Sequence, residues 1–235
     1  MNFMNRGNGM MKKIGSGIAV LALAFNLAAC AASTPADTAA ILDKARWTVE
    51  TFKQRNEAPM GLFRDMLQDA AGAAIFPGVI KAGFLIGAEG GTGVLIARND
   101  AGWGQPAFYT LGAGSFGFQA GGQITEMVLV IRNKGAVESL IKHQGKIGAD
   151  LEITVGTLGG GMEGAITTNL GADIVVFAQS AGLFGGVSLE GAALIRRKDL
   201  NEIHYGAGAT PEGIVLEGKY TNPKADGLRE SLIVK

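Results

Sequence analysis

Between Ala39 and Glu57 the apolar side chains fall at Ile41, Leu42, Ala45, Val49 and Phe52, with charged residues elsewhere. That spacing marks one face of a helix. Trp47 breaks the pattern, because the same periodicity sets it nearly opposite the stripe. A second helix is predicted from Met60 to about Ala71, ending before Phe76-Pro77-Gly78. From Gly83 to Leu194 the pattern changes to short β-branched and aromatic runs punctuated by glycine. Phe116, Phe118 and Ala120 alternate with Gly117 and Gln119, and Leu151, Ile153 and Val155 with Glu152 and Thr154, as half-buried antiparallel strands do. Met127 to Ile131 and Ile174 to Ala178 are unbroken apolar runs, which predicts central strands covered on both faces. One helix interrupts them: Lys134 to His143 carries Ala136, Val137, Leu140 and Ile141 on one face, with Asn133 placed to cap it. Thr210-Pro211 and Asn222-Pro223 each pair a cap residue with proline at a first helical position, so a short helix is expected after both. The fold class is α+β: a curved, glycine-rich, mainly antiparallel sheet or partly closed barrel with packed N-terminal, central and C-terminal helices.

Glycine makes up 37 of the 235 residues, about twice the ordinary share. Inside strands it weakens the ladder, so its abundance points to bends, bulges and close approach of chain segments. An echo spans the sheet region. Ala82-Gly83-Phe84-Leu85-Ile86-Gly87 leads through Glu89 to Val94-Leu95-Ile96-Ala97-Arg98, and Ala181-Gly182-Leu183-Phe184-Gly185-Gly186 leads through Glu190 to Ala193-Leu194-Ile195-Arg196-Arg197. Two similar hairpins, or mere convergence of glycine-rich strands, account for it.

The N-terminus has another character. Lys12 and Lys13 precede an apolar run from Ile14 to Leu27 that ends in Leu27-Ala28-Ala29-Cys30. The run is short for a bilayer span and has the architecture of a secretory signal. Its ending resembles the lipobox of bacterial lipoproteins, which implies lipidation of Cys30 and Cys30 as the mature N-terminus. A simple uncleaved anchor is the alternative. Cys30 is the only cysteine, so the domain holds no disulfide and no thiolate metal ligand. The expected organisation is a signal over 1–30, a tether over 31–38 and one domain over 39–235. Initiation at Met10 or Met11 would give a signal of conventional length. Ala31 after the cysteine, in place of aspartate, favours the outer membrane in lipoproteins of the familiar kind, so the expected location is the periplasmic side of the bacterial envelope.

Residues 1–30 hold three basic and no acidic side chains, which leaves 18 basic against 21 acidic residues beyond them. A balance of −3 lacks the electrostatic footprint of a nucleic-acid binder. Gly112-Ala113-Gly114-Ser115-Phe116-Gly117 spells G-x-G-x-x-G, but it runs into a strand pattern where a dinucleotide site needs a helix. Ser115 and Ser180 lack the leading glycine of a nucleophile elbow. The two histidines, His143 at a helix end and His204 in an expected strand or turn, lie near no metal-ligand spacing. No enzyme, cofactor or metal is expected. The candidate contacts are with membrane phospholipid: Trp47 with Lys44, Arg46 and Lys53 as an interfacial anchor, and the basic spots Lys142, Lys146, Arg196, Arg197 and Lys198. The alternative for Trp47 is packing against the sheet or the C-terminal helix.

Gly182-Leu183-Phe184-Gly185-Gly186-Val187-Ser188-Leu189-Glu190-Gly191-Ala192 resembles the most recognisable segment of the SYLF domain family. Phe76-Pro77, Gly83, Gly87, Gly93, Arg98, Gly102-Trp103, Pro106 and Gly148-Ala149-Asp150 extend the resemblance over roughly 40–220. The family includes bacterial lipoproteins and eukaryotic lipid- and actin-associated proteins. The resemblance implies a mixed helix and sheet domain, phospholipid binding and no catalysis. Members often carry Tyr, Arg and Lys before the Gly-Leu-Phe element; here Phe177-Ala178-Gln179-Ser180-Ala181 stands instead. A structural or protein-interaction module of the envelope is the second reading.

Overall fold

The computed structural model of the chain describes residues 32–56, 60–142, 153–158, 173–182 and 192–234. Cys30, the signal, His143, Lys146, Gly148-Ala149-Asp150 and most of the Gly-Leu-Phe element lie outside them. Thr34–Lys235 form one compact unit.

Helix α1 spans Pro35–Gln54, so it starts inside the stretch expected to be tether. The local sequence dictates this. Pro35 takes the first position, Thr34 accepts from the Asp37 amide at 3.3 Å, and Asp37 accepts from the Thr34 amide at 2.7 Å. That reciprocal capping box overrides the reading of a loose 31–38 segment. Helix α2 covers Gly61–Gln68. Three strands come next: β1 Gly72–Asn99, β2 Gly102–Trp103 and β3 Ala107–Ile131. Helix α3, Lys134–Lys142, has the Asn133 cap that its sequence announces, with Asn133 Oδ1 accepting from the Ala136 amide at 2.8 Å. Then come β4 Ile153–Leu158, β5 Ile174–Gly182, β6 Ala193–Arg196 and helix α4 Lys198–Tyr205. Both Pro-led helices form, a π-helical turn at Glu212–Leu216 and a 3-10 turn at Pro223–Ala225 that continues into α5, Asp226–Ser231.

Among the described residues the sheet has six strands in the order β2-β1-β3-β5-β4, with β6 pairing the first part of β3. All pairings are antiparallel except β4 with β5. The two expected central strands are central: Met127–Ile131 lies between β1 and β5, and Ile174–Ala178 between β3 and β4. Three expectations need correction. Strand β1 starts at Gly72 and passes through Pro77-Gly78, where the register slips between Phe76 and Val79. A bulge tolerates proline because the ladder asks for no N–H there. Residues 82–98 form one unbroken strand and no hairpin. His204 sits in a helix, because Leu200, Asn201 and His204 share a buried helical side that an eight-residue segment shows only weakly as periodicity.

The sheet curls back on itself. Lys81 Nζ and Glu89 Oε2, both in β1, lie 3.8 Å apart. Eight residues of straight strand would put their backbones about 26 Å apart, so β1 bends between them. Burial raises the Glu89 carboxyl pKa above its ordinary value, and the Lys81 charge opposes the rise. The bend stacks the start of β1 onto its end, where the Arg98 amide donates to Ala71 O at 2.8 Å. Among the described residues no continuous ladder closes the sheet. Its inner face packs Phe76, Leu95, Tyr109, Leu129 and Val176 against α3 and Ile214. Its outer face packs Ile75, Ile96, Phe108, Val130 and Phe177 against α1, α2, α4 and α5. Each leucine- or phenylalanine-sized side chain removed from water there contributes about 1.5–3 kcal/mol.

Candidate functional site

Helix α1 is held by its buried stripe of Leu42, Ala45, Val49 and Phe52, which leaves the opposite side in solvent. There Trp47 is 66% exposed. Its side chain stands outside both hydrophobic core clusters. Lys44, one turn back, is also exposed. The neighbouring cations are engaged within the domain. Arg46 Nε donates to Glu50 Oε1 at 2.8 Å in an exposed i,i+4 pair along the helix surface. Lys53 Nζ donates to the carbonyls of Ser231 at 2.8 Å and Ile233 at 2.6 Å, so it closes the end of α5.

The other basic candidates divide similarly. Lys142 pairs with Glu138 at 2.8 Å and holds that carboxyl below its ordinary range. Arg196 is drawn inward, donating to Ile141 O and to the Glu212 carboxylate beside the buried Tyr109 hydroxyl. Arg197 holds both oxygens of Asp199, at 2.9 and 2.6 Å, and reaches Thr92 Oγ1 at 3.2 Å. Lys198 stands in solvent with its side chain 82% exposed, 3.9 Å from Glu202. The structure thus brings Trp47 and Lys44 together on one outward helix face, while Arg196 and Lys53 serve the interior and the C-terminus.

A second cluster escaped sequence reading. The Arg98 guanidinium lies 4.7 Å over the Trp103 ring, and Arg98 donates to Leu67 O at 3.0 Å. Trp103 Nε1 donates to Leu232 O, and Arg229 Nε donates to Trp103 O, so the C-terminal helix is stapled to the β1–β2 turn. A cleft of about 560 Å³ opens here, lined by Arg98, Trp103, Asp226, Arg229 and Glu230 among others. A second, of about 580 Å³, lies past Arg229 along Gln105, Tyr220 and Asn222. Both are open and edged by charged and amide groups, unlike an apolar chamber for an acyl chain. Arg98 and Trp103 stood out in the sequence as motif positions. Their partners Arg229 and Leu232 carry no spacing signal, because the contact spans well over a hundred residues.

The rejected catalytic motifs resolve structurally. Gly112 to Gly117 lies within β3. Ser180 Oγ accepts from Gln123 Nε2 at 2.6 Å and lies 2.9 Å from Thr125 Oγ1, with no histidine among these partners. His204 is 7% exposed, edge-on to Phe108 and Tyr205, and burial with the Lys224 charge lowers its pKa to about 4. It is neutral at physiological pH. Among the described residues no group of three or more His, Cys, Asp or Glu is placed to hold a metal ion. Among them, too, no helix is long and apolar enough to cross a membrane.

Residues 112–233 match a family model described as Ysc84, Las17-binding protein actin regulator. The SH3 domain-containing YSC84-like protein 1 of Xenopus laevis is 32% identical over 175 residues, 74% of this chain and 52% of that protein. Its Homo sapiens counterpart is 37% identical over 142 residues, 60% of this chain and 41% of that protein. The LAS seventeen-binding protein 3 of Saccharomyces cerevisiae is 34% identical over 165 residues, 68% of this chain and 36% of that protein. The chain therefore spans about half or less of the length of these relatives. No solved structure matches it.

Proposed function

The chain belongs to the Ysc84 family, the SYLF family that its glycine-rich motif resembles, and from that premise we propose a non-catalytic, lipid-binding domain held to the bacterial envelope by a lipidated Cys30. The observation that carries the reading is Trp47, 66% exposed on α1. An indole on a helix surface beside an exposed lysine has the amphipathic chemistry of the membrane interface. Distance supports it. With α1 beginning at Pro35, only Ala31 to Thr34 separate Cys30 from the helix, a reach of about 14 Å when fully extended. An acylated Cys30 keeps α1 close to its bilayer. The outer membrane is the proposed address, from Ala31.

The test is flotation of the purified protein with vesicles of phosphatidylethanolamine and phosphatidylglycerol, read together with Trp47 emission. Association with a blue shift supports the reading. Flotation with no change in emission, or none at all, overturns lipid binding by this face. A second reading rests on the name of the yeast relative, a LAS seventeen-binding protein. By that analogy the domain would hold a protein partner of the envelope. A partner that co-purifies in stoichiometric amount from the native membrane, with no vesicle binding by the purified protein, would decide for it.

A further inference from the structure

The cleft beside Trp103 holds two charges that the domain does not neutralise. Its walls are Arg98 of β1, Trp103 of β2, Asp226, Arg229 and Glu230 of α5, and Ile233 beyond that helix. The Arg229–Asp226 ion pair, at 2.7 Å, cancels within itself. Arg98 is different. Its guanidinium is fixed over the Trp103 ring and donates to Leu67 O, and its Nε is buried without an acceptor. It has no carboxylate partner among the described residues. Ring stacking and a carbonyl bond orient a guanidinium without cancelling its charge. Glu230 is the counterpart. It is exposed and makes no ion pair among the described residues. Arg46 of α1 acts on it only at longer range, being bonded to Glu50.

The two unspent charges are opposite in sign and line one cleft without pairing with each other. A ligand that satisfies both carries an anion and a cation a few bonds apart. The donors for the anion are already held in place, so little side-chain order remains to be imposed on binding. Arg98 is held by Leu67 O and the indole. Arg229 is held by Trp103 O at Nε and Asp226 at Nη1, which leaves Nη2 for a ligand. Ile233, 51% exposed, gives the cleft an aliphatic lip. The volume of about 560 Å³ suits a small polar group.

We propose that this cleft binds a phosphoethanolamine group, its phosphate on Arg98 and Arg229 Nη2 and its ammonium on Glu230. The choice of phosphate as the anion rests on the phospholipid reading above; the need for both charges does not. A purely anionic group would meet Asp226 and Glu230 as repulsion, so the amine is part of the ligand. Guanidinium groups suit phosphate because their N–H donors form a planar fork. Two sources carry this chemistry, the headgroup of phosphatidylethanolamine and the free phosphoester.

The test is calorimetric titration of the purified full chain, in non-ionic detergent, with O-phosphoethanolamine, inorganic phosphate and ethanolamine. Saturable binding of the first, about tenfold tighter than either half, is expected from one added charge-assisted contact. Glu230→Gln, at an exposed position, should bring phosphoethanolamine down to the affinity of phosphate. A photoreactive benzoylphenylalanine at Ala101, exposed on the cleft's rim, assigns the source in chain reconstituted into vesicles. Label from radiolabelled phosphatidylethanolamine and not from phosphatidylglycerol identifies the headgroup. Calorimetric binding with no lipid label identifies the free phosphoester. Equal affinity for phosphate and phosphoethanolamine, native affinity in Glu230→Gln, equal label from both lipids, or no binding at all overturns this site. A blue shift of Trp47 on vesicles in the same protein then leaves the lipid-binding reading standing, and its absence overturns both.

Discussion

Gly93 and Ile75 touch backbone to backbone where β1 crosses itself. A Cβ on Gly93 would fall 2.1 Å from Ile75 O and 2.6 Å from Phe76 Cδ1. The obstacle is a main-chain carbonyl in a buried crossing, which cannot swing aside as a side chain would. Gly93→Ala should therefore destabilise the domain by about 3 kcal/mol or more, a fall in Tm of roughly 10 °C for a chain of this size. Gly114→Ala, in β3 with nothing within 4 Å of its missing Cβ, should leave Tm unchanged or slightly raised. Thermal unfolding of the pair checks the crossing. Equal Tm values for the two variants would refute it.

Lys53 and Lys44 make the same chemistry answer to different jobs. Lys53→Met removes the donor that closes two carbonyls near the C-terminus and should cost about 1–3 kcal/mol, seen as a lower denaturation midpoint with vesicle binding unchanged below the transition. Lys44→Met should leave the midpoint alone and weaken binding to anionic vesicles. Its loss of binding should shrink as salt rises, because surface attraction is screened.

Range decides which features the sequence showed and which it hid. Helix α1, the Asn133 cap and the two Pro-led turns are specified by residues within four positions of one another, so patterning predicts them. Met127–Ile131 and Ile174–Ala178 proclaim central strands because both faces are covered by side chains from elsewhere. The bend in β1 is different. Lys81 meets Glu89, and Gly93 meets Ile75, through a fold of the strand that period-two alternation cannot register. The fate of the basic candidates was equally hidden. Lys44 and Lys53 read alike in sequence, and only the position of the C-terminal carbonyls separates them. Trp47 was legible as out of phase with its stripe, but whether another element covered it was a tertiary fact.

Asn201 supplies a test of how α4 is held to the sheet. Fully buried, it accepts from the Phe108 amide at 2.8 Å and donates to Phe108 O at 3.2 Å, standing in for a ladder neighbour beyond β6. Phe108 O keeps a second donor in the Arg197 amide, but the Phe108 N–H has no such substitute among these bonds. Asn201→Ala should cost about 2–3 kcal/mol, largely the penalty of an orphaned buried donor. Hydrogen exchange at the Phe108 amide should accelerate more than at Val128. Unchanged protection at Phe108 would mean that the side chain does not hold the strand.

His204 sets a pH dependence whose direction is fixed. Burial is the main cause of its depressed pKa, with Lys224 adding repulsion, and the folded value is about 4 against 6.5 for the free side chain. The unfolded chain therefore binds the proton more readily than the native one. Above pH 6.5 neither state is protonated and the native state suffers no penalty. As pH falls from about 6.5 toward 4, the unfolded state gains its proton first and stability declines, by an amount on the order of 3 kcal/mol across the window. Glu89 and Glu126, whose carboxyl pKa values are raised by burial, act with the opposite sign. Protonation of these acids favours the fold, so their contribution weakens as pH rises through their folded pKa values. The difference between the native protein and a His204→Phe variant isolates the histidine. Urea midpoints measured between pH 4 and 7.5 should fall on acidification more steeply for the native protein than for the variant. Parallel curves would show that His204 does not need to stay neutral to fold.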